Sequence, residues 1–456
     1  MDLSQKLTLF KQSLKNKRVT VLGIGVSNVP LIRFLAENGA CVTACDRQSA
    51  ENLSEQMQAL AAFDITYRLG EGYMDDLSGE VIFKTPGMRF DLPQLVKARE
   101  AGSHVTSEME VFFELCPCKI IAVTGSDGKT TTTTLISEIL KQAGYKVWVG
   151  GNIGMPLVGE LDHIGEKDIA VLELSSFQLH TMQASPNVAV ITNLAPNHLD
   201  WHADMQEYLD AKKNIFLHQS AEDMLVLNAD NDITSALDKE ARGRVSWFSS
   251  AKQALDGAYL KNGVIYLNGE AYIQASDIKI PGAHNVENFM TAIAATQGLA
   301  SKEDVEYIAK NFGGVEHRIE FVRELDGVRY YNDSIASSPS RARAGLRSFD
   351  KKVILIAGGY DKNLDYTEFG AEVKAHVKTL VLVGATSDKI EAACLAAGME
   401  HSMVVRCTEF AQAIHAARDA AQAGDIALLS PASASFDLFK NFMERGKVFK
   451  EIVNSL

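Results

Sequence analysis

No stretch of this 456-residue sequence approaches the roughly 18 consecutive apolar residues of a membrane-spanning helix. The N-terminal segment MDLSQKLTLFKQ also lacks the long apolar core of a secretory signal. Cysteine is scarce. The six residues, Cys41, Cys45, Cys116, Cys118, Cys394 and Cys407, form no CxxC pair, and Cys116-Pro-Cys118 is too tight for a zinc knuckle. Reduced thiols and a cytoplasmic protein are therefore expected. Positive charge is in deficit: 45 Lys and Arg stand against 58 Asp and Glu, a net charge of −13. Neither nucleic acid nor a membrane surface is an expected partner, because both call for basic patches. An anionic ligand would need donors gathered locally against this background. Low-complexity tracts and short repeats are absent as well.

What remains is the composition of an ordinary globular protein, 46% apolar and 23% charged, long enough for several domains of roughly 100–200 residues each. Three regions share a rhythm of short apolar strand, turn and amphipathic helix. That alternation predicts an α/β fold with parallel sheets flanked by helices. In the first region, residues 18–25 read as a buried strand, 27–38 as a helix ended by Gly39, and 40–46 as the next strand. In the second, residues 119–124, 168–174 and 188–193 read as strands and 285–299 as an apolar helix. Turn signals and short strand-like runs over residues 220–279 predict a small side sheet there. In the third, residues 353–357, 380–383 and 426–429 are the expected strands. The expected domains are 1–107, 108–314 and 315–456.

The strand over residues 119–124 runs into GSDGKTTTTTL and then a helical pattern. A helix N-terminus offers unpaired N–H groups and a partial positive charge, and glycines let backbone amides close around phosphate oxygens. Gly125, Ser126, Asp127, Gly128, Lys129, Thr130 and Thr131 are therefore a candidate phosphate loop. Lys129 would reach the terminal phosphates and the Thr130 hydroxyl would hold Mg²⁺. The spacing between the two glycines is shorter than in the common GxxxxGK[ST] loop. Five threonines crowd this helix start, although β-branched residues are mediocre helix formers. Thr130 and Thr131 have a use at metal and phosphate. Thr132, Thr133 and Thr134 are expected to pack against the sheet.

Glu173 ends an apolar strand, and His198 lies in the loop after another. In a parallel sheet both would leave from the edge that carries the phosphate loop, which makes them candidate Mg²⁺ ligands. Lys212, four residues after Tyr208, reads in isolation as a helix-surface lysine. Gly23-Ile-Gly25-Val26-Ser27-Asn28 approximates the GxGxxG dinucleotide loop, with Asn28 at the third glycine. Asp46 ends the next strand, where an acid could meet a ribose. NAD is one ligand this loop would suit; a different diphosphate fits as well.

Taken in order, these motifs resemble those of the Mur ligases along essentially the whole chain. The resemblance implies a Rossmann-like N-terminal domain, a central domain with a P-loop ATPase-type parallel sheet, and a Rossmann-like C-terminal domain. It implies that Gly23, Gly25, Val26, Ser27, Asp46 and Arg47, with Thr85, Pro86 and Gly87, hold the UDP part of a substrate, and that Asn152 approaches its muramoyl portion. TGSDGKTT matches the family's ATP loop. Glu173 and His198 fall on its magnesium ligands, and Lys212 on a lysine carried as a CO₂-derived carbamate, which would give two Mg²⁺ ions a further oxygen ligand. His284, Asn285 and Asn288 match the segment that meets adenine; Arg318 and Asp333 match residues that reach ATP from the third domain. Ser337, Lys362, Ser435, Phe436 and Phe442 match positions around an incoming glutamate.

One departure stands out. The family pattern NDSKAT here reads Asn332-Asp333-Ser334-Ile335-Ala336-Ser337. The cation is replaced by Ile335, while Ser337 keeps the hydroxyl. A charge partner is thereby lost beside the amino-acid site, and the preference for D- or L-glutamate stays open. The implied activity is ATP-dependent ligation of D-glutamate to UDP-N-acetylmuramoyl-L-alanine through an acyl phosphate, by a cytoplasmic monomer in peptidoglycan precursor synthesis. Lys129, His198 and Lys212 would do its catalytic work. A dehydrogenase built on the first region would leave the GKT loop unexplained.

Overall fold

A computed structural model of the chain describes residues 3–25, 28–253 and 256–456. Three sheets follow one another along it. The first contains β1 (Arg18–Leu22), β2 (Cys41–Asp46), β3 (Ile65–Leu69), β4 (Val81–Phe83) and β5 (His104–Thr106) in the order β3-β2-β1-β4-β5, all parallel. The second has nine strands: β6 (Lys119–Thr124), β7 (Val147–Gly151), β8 (Ile169–Glu173), β9 (Val188–Ile191), β10 (Met224–Asn228), β11 (Arg244–Ser249), β12 (Gly257–Lys261), β13 (Val264–Leu267) and β14 (Glu270–Gln274). Their order is β14-β13-β12-β11-β10-β9-β6-β8-β7. The third contains β15 (Glu320–Leu325), β16 (Val328–Asn332), β17 (Val353–Ala357), β18 (Val377–Leu382), β19 (Val404–Arg406) and β20 (Ile426–Leu429) in the order β15-β16-β20-β17-β18-β19.

The chain divides into two compact units, Met1–Gln274 with Glu287–Ile308, and Ala275–Val286 with Ala309–Leu456. The first unit holds the first two sheets and the second unit holds the third. Interior strands of each sheet are covered on both faces and so read as unbroken apolar runs. Ile121, Ala122 and Val123 in β6, Val171 and Leu172 in β8, and Leu355 and Leu428 in β17 and β20 are fully buried. The helix Lys129–Gln142 lays Leu135, Ile136, Ile139 and Leu140 into the core of the second sheet. Each such side chain contributes about 1.5–3 kcal/mol on leaving water.

The expected strands 119–124, 353–357 and 426–429 coincide with β6, β17 and β20. The region expected to form a small side sheet does not form a separate one. Its strands continue the central sheet, because β12 pairs in parallel with β11 through Trp247 and Gly257 and covers what would be an open strand edge. Beyond β12 the direction alternates at two Asn-Gly turns, Asn262-Gly263 and Asn268-Gly269, all four residues at positive φ. That is the two-residue turn whose twist suits a tight hairpin. Asp326-Gly327 makes the same turn between β15 and β16, a hairpin outside the strands expected for the third region.

The core of the first unit encloses a carboxyl group at the start of a helix. Ser107 caps the helix Glu108–Leu115 by accepting from the Glu110 N–H at 3.3 Å. The next residue, Glu108, is buried, and its Oε1 accepts from the Val158 N–H at 3.2 Å. Burial pushes the Glu108 carboxyl up to about 7, against the lowering pull of the Val158 and Leu157 amides. The native state thus holds this proton at pH values where the unfolded chain, with an ordinary carboxyl, has released it. The stabilisation is complete below the unfolded value and is lost as pH rises to about 7. Glu108→Gln should flatten this loss. In urea melts at pH 5 and pH 8, the wild type should lose on the order of 3 kcal/mol more than the variant. Equal losses would exclude Glu108 as the source.

Candidate active site

β6 lies between β8 and β9, all parallel, so the loops at their carboxyl ends share one edge of the sheet. That edge carries the phosphate loop, Glu173 and the loop that holds His198. Gly125 leaves β6 at φ 147°, and a Cβ there would overlap the Thr192 hydroxyl and stand 3.1 Å from the Asn193 carbonyl. The loop after β9 thus braces the phosphate loop. The Ser126 N–H donates to the Asn193 carbonyl and the Asp127 N–H to Asn193 Oδ1, each at 2.9 Å. The Thr192 hydroxyl donates to the Asp127 carbonyl at 2.5 Å. Gly128, at φ 78°, then opens the helix Lys129–Gln142. Lys129 Nζ donates to the Gly125 and Ser126 carbonyls at 3.0 and 2.9 Å.

The five threonines differ in burial and in partners. Thr130 is half-buried at the mouth of the helix. Thr131 is buried, while Thr132 and Thr133 are wholly enclosed. The Thr132 hydroxyl donates to Asn288 Oδ1 at 3.2 Å, and the Thr134 hydroxyl returns to the Thr130 carbonyl at 2.8 Å. A Cβ on Gly128 would press on that same Asn288 oxygen, at 2.6 Å. Asn288 is therefore packed beside the phosphate loop.

Glu173 ends β8 with 2% of its surface exposed. Its Oε1 accepts from Asn152 Nδ2 at 2.9 Å, and its Oε2 is buried with no hydrogen-bond partner. A buried, unpartnered carboxylate oxygen is costly to leave unpaired, and it suits a hard cation. Lys212 is not a surface lysine. The helix Met205–Lys213 turns it inward to 2% exposure, where Nζ donates to the Thr124 hydroxyl at 3.1 Å and the Gly125 carbonyl at 2.8 Å. Burial first, then the neighbouring Lys129 charge, drive its pKa well below that of an ordinary lysine. His198 sits on an exposed turn at φ 54°. Desolvation first, then the Lys129 and Lys212 charges, hold its imidazole below its usual range.

Several residues that sequence reasoning passed over belong to this edge. Tyr208 is buried; its hydroxyl pairs with Ser126 Oγ at 2.9 Å and its ring lies 4.9 Å from Lys212 Nζ. The spacing of four between Tyr208 and Lys212 on one helix was the available signal. His202 is buried against Ser176, Nε2 to Oγ at 2.9 Å, and stacks on Phe177 at 5.8 Å. Phe177 also meets the His198 ring at 5.0 Å.

At the first sheet, the turns after β1 and β4 flank the point where strand order reverses. A Cβ on Gly23 would touch Thr85 at 3.5 Å, so the two turns meet. Asp46 is committed to the turn itself: Oδ2 accepts from the Ile24 N–H at 2.7 Å and Oδ1 from the Gln48 N–H at 2.9 Å. Asn28, in place of a third glycine, uses its Nδ2 to tie down the Leu22 and Gly23 carbonyls at 3.1 and 2.9 Å. Gly25, Arg47 and Gly87 are exposed, and Thr85 and Pro86 half-buried. Val26 and Ser27 lie outside the described residues.

The second unit gathers the remaining candidates. Asp333 is buried, with its carboxylate on the Ile319 N–H at 3.3 Å and the Ser430 hydroxyl at 2.8 Å; burial lifts it to about 7. Arg318 stands within electrostatic reach of it. Lys362 lies over the exposed ring of Phe436, 5.3 Å from its centroid. Ser435 is buried, and the Phe442 carbonyl accepts from the Ser334 hydroxyl at 2.7 Å. Asn285 is buried and donates to the Pro281 carbonyl at 2.6 Å. Arg445, unmarked in the sequence, binds the segments that carry these residues. Its guanidinium donates to the Ser334 hydroxyl and carbonyl, the Ser433 and Ala434 carbonyls and, at 3.4 Å, the Ser337 hydroxyl.

The close approach at Gly125 generates a prediction. Gly125→Ala should displace the loop from Thr192 and Asn193 and weaken Mg·ATP binding about tenfold or more in calorimetry. Unchanged affinity would mean that the loop holds no phosphate.

Comparison with known proteins accords with this arrangement. Residues 17–107 match the MurD-like N-terminal domain model of the Mur ligases, 123–296 the Mur ligase middle domain and 317–433 the Mur ligase glutamate ligase domain. The chain is 54% identical to a UDP-N-acetylmuramoylalanine–D-glutamate ligase of Acetivibrio thermocellus, covering 100% of both. It is 53% identical to the protein of that name from Clostridium novyi, covering 98% of both. Among solved structures it shares the fold of MurF from Acinetobacter baumannii, with a TM-score of 0.61 at 18% identity over 97% of this chain and 98% of that one. UDP-N-acetylmuramate–alanine ligase MurC from Thermotoga maritima gives 0.60 at 20% identity, over 96% and 99%. With three domain models in sequence, full-length relatives above half identity and a phosphate loop braced at the centre of a parallel sheet, this chain belongs to the Mur ligase family.

Proposed function

We propose that the protein joins D-glutamate to UDP-N-acetylmuramoyl-L-alanine at the expense of ATP, as a cytoplasmic monomer in peptidoglycan precursor synthesis. The observation that carries this reading is the gathering of Lys129, Glu173 and Lys212 on one sheet edge, in a chain more than half identical to ligases of that name. Those names specify D-glutamate across the full length, which supports the D isomer here despite Ile335. The domain limits near residues 107 and 314 belong to the same proposal.

A carboxylate is a poor electrophile and has no good leaving group. The alanyl carboxylate first attacks the γ-phosphorus of ATP, the bond to ADP breaks, and an acyl phosphate forms. The glutamate amine then attacks the acyl carbon and loses its proton, and phosphate leaves from the tetrahedral intermediate. Lys129 and the N–H groups of the helix start hold the phosphates and offset charge on the group in transfer. The orphaned Glu173 oxygen and the Thr130 hydroxyl suit Mg²⁺, with His198 as a third ligand. Two such ions would supply charge neutralisation at the phosphates.

Lys212 fits a metal only in modified form. Burial and the Lys129 charge disfavour its ammonium form and so favour the nucleophilic amine. Attack on CO₂ forms a C–N bond, releases a proton and leaves a carbamate oxygen in place of an ammonium. Gly23, Gly25 and the Thr85-Pro86-Gly87 turn would hold the UDP end, with Val26, Ser27, Asp46 and Arg47, and Asn152 the muramoyl end. Asn285, Asn288, Arg318 and Asp333 would bind the nucleotide, and Ser337, Lys362, Ser435, Phe436 and Phe442 the amino acid. The chemistry requires amine and acyl phosphate to meet with water excluded.

Purified protein with Mg·ATP and UDP-N-acetylmuramoyl-L-alanine should release phosphate on addition of D-glutamate and not of L-glutamate. Release with L-glutamate alone would make Ile335 a specificity switch, and silence with both would reject the substrate assignment. Lys212→Ala should lower turnover about 100-fold or more while ATP still binds, given what losing a metal ligand's support costs. Full activity in that variant would remove Lys212 from the site.

A further inference from the structure

The turn Thr85-Pro86-Gly87 and the turn at His198 belong to different sheets of the first unit, yet two side chains join them. The Trp201 indole N–H donates to the Gly87 carbonyl at 2.9 Å. In return, Arg89 Nη1 donates to the Trp201 carbonyl at 2.9 Å, and the guanidinium lies over the indole, 5.0 Å from its centroid. Trp201 and His202 both donate their N–H groups to the His198 carbonyl, at 3.1 and 3.0 Å, and so hold the positive-φ turn that presents the imidazole.

Arg89 also reaches the helix that carries Lys212. It grips both oxygens of Glu207, at 2.8 and 3.2 Å, and both oxygens of Asp91, at 2.9 and 2.8 Å. With the Trp201 carbonyl this accounts for all five N–H donors of the guanidinium. Glu207 in turn accepts from the Ala203 N–H at 2.6 Å, just ahead of the helix Met205–Lys213, beside the Asp204 cap. The Trp201 ring also meets Phe177, His180 and His202, with centroids 4.8, 5.4 and 4.6 Å away. His202 continues to Tyr208 at 5.4 Å, and Tyr208 to Ser126 of the phosphate loop. An exposed ion pair made for solubility needs one contact and tolerates lysine. A guanidinium with every donor assigned, stacked on an indole that is itself hydrogen-bonded, is a preorganised joint that lysine cannot reproduce.

We propose that Arg89 and Trp201 are positioning residues that hold the His198 turn and the Lys212 helix at a fixed offset from the Thr85-Pro86-Gly87 turn, so that a substrate anchored at that turn presents its carboxylate to the metal ligands. This rests on the ligase reading above. The joint sets distance and angle and touches neither substrate nor metal.

The test uses the full chain and the variants Arg89→Ala, Arg89→Lys and Trp201→Phe, which keeps a ring and loses the indole N–H. Phosphate release is followed while Mg²⁺, UDP-N-acetylmuramoyl-L-alanine and D-glutamate are varied in turn. All three variants should raise the Mg²⁺ activation constant and lower kcat/KM for the UDP substrate, about tenfold or more for Arg89→Ala. KM for D-glutamate should not move, and lysine should not rescue. In parallel, half-saturation by Mg²⁺ of fluorescent ATP-analogue binding should rise by a similar factor, a readout that needs no turnover. A uniform fall in kcat with both Mg²⁺ constants and the UDP-substrate KM unchanged would reduce the pair to a structural contact and overturn the proposal. A wild type silent with D-glutamate, in which Arg89→Ala still shifts Mg²⁺ half-saturation, would overturn the ligase reading and leave the joint standing. Should Arg89→Ala not fold by circular dichroism, Trp201→Phe decides.

Discussion

Gly125 has no space for a side chain, and the rest of the candidate site is arranged around that fact. β6 is flanked by β8 and β9, so the turn leaving it must pass between two others at the spacing of adjacent strands. Thr192 and Asn193 fill the volume a Cβ would need and use it to hold the Ser126 and Asp127 amides and the Asp127 carbonyl. The loop is therefore shaped before any ligand arrives, and its carbonyls at Gly125 and Ser126 fix Lys129. The Gly125 carbonyl also receives Lys212 from a different helix. One backbone unit thus positions two lysines, and preorganisation of this kind is what lets fixed charges act on a phosphoryl group without reorganising during reaction.

Two ammonium groups that share one loop in a protein of net charge −13 pose an electrostatic problem. It is resolved unequally. Lys129 is half-buried, whereas Lys212 is enclosed and its charge is disfavoured by burial and by Lys129. The same enclosure leaves Glu173 with one oxygen satisfied by Asn152 and the other unpaired. A depressed lysine on a helix and an orphaned carboxylate oxygen at the end of a strand are both costly to folding. Such costs are tolerated where the groups are needed for chemistry. The buried Glu108, far simpler in its surroundings, shows the alternative: a backbone donor at Val158 and a carboxyl that burial pushes up to about 7.

Most strands were legible because their signal is local. An apolar run such as that of β6, β17 or β20 is buried on both faces and needs no partner to be recognised. The placement of β12 was not legible, since pairing with β11 is a contact between segments that no periodicity encodes. The Asp326-Gly327 hairpin carried a readable turn signal but was overshadowed by the stronger runs after it. At the site, the phosphate loop and Glu173 followed from position in a strand–loop–helix unit. Lys212 could not, because inward orientation of one lysine on a nine-residue helix depends on what covers that face. Arg89, Trp201 and Arg445 were invisible for the same reason: their partners are distant in sequence.

The departure at position 335 is clearer once Arg445 is placed. Ile335 is half-buried and its backbone N–H is taken by the His317 carbonyl, so the segment keeps its path without a cation at that side chain. Arg445, from the helix Phe442–Ser455, sits beneath the same segment with 2% of its surface exposed. Burial lowers its pKa only to about 10, so it is charged at neutral pH. Its donors go to hydroxyls and carbonyls, and Asp333 and Asp437 act on it only at longer range. A guanidinium neutralised by no contacting carboxylate projects a positive field toward Ser337, which lies at the end of its Nη2. Replacing a lysine by isoleucine at 335 therefore removes a mobile charge from this segment but not the fixed one. On the proposed reading, Arg445 and Lys362, which lies over Phe436, would be two cations left for an amino acid that brings two carboxylates.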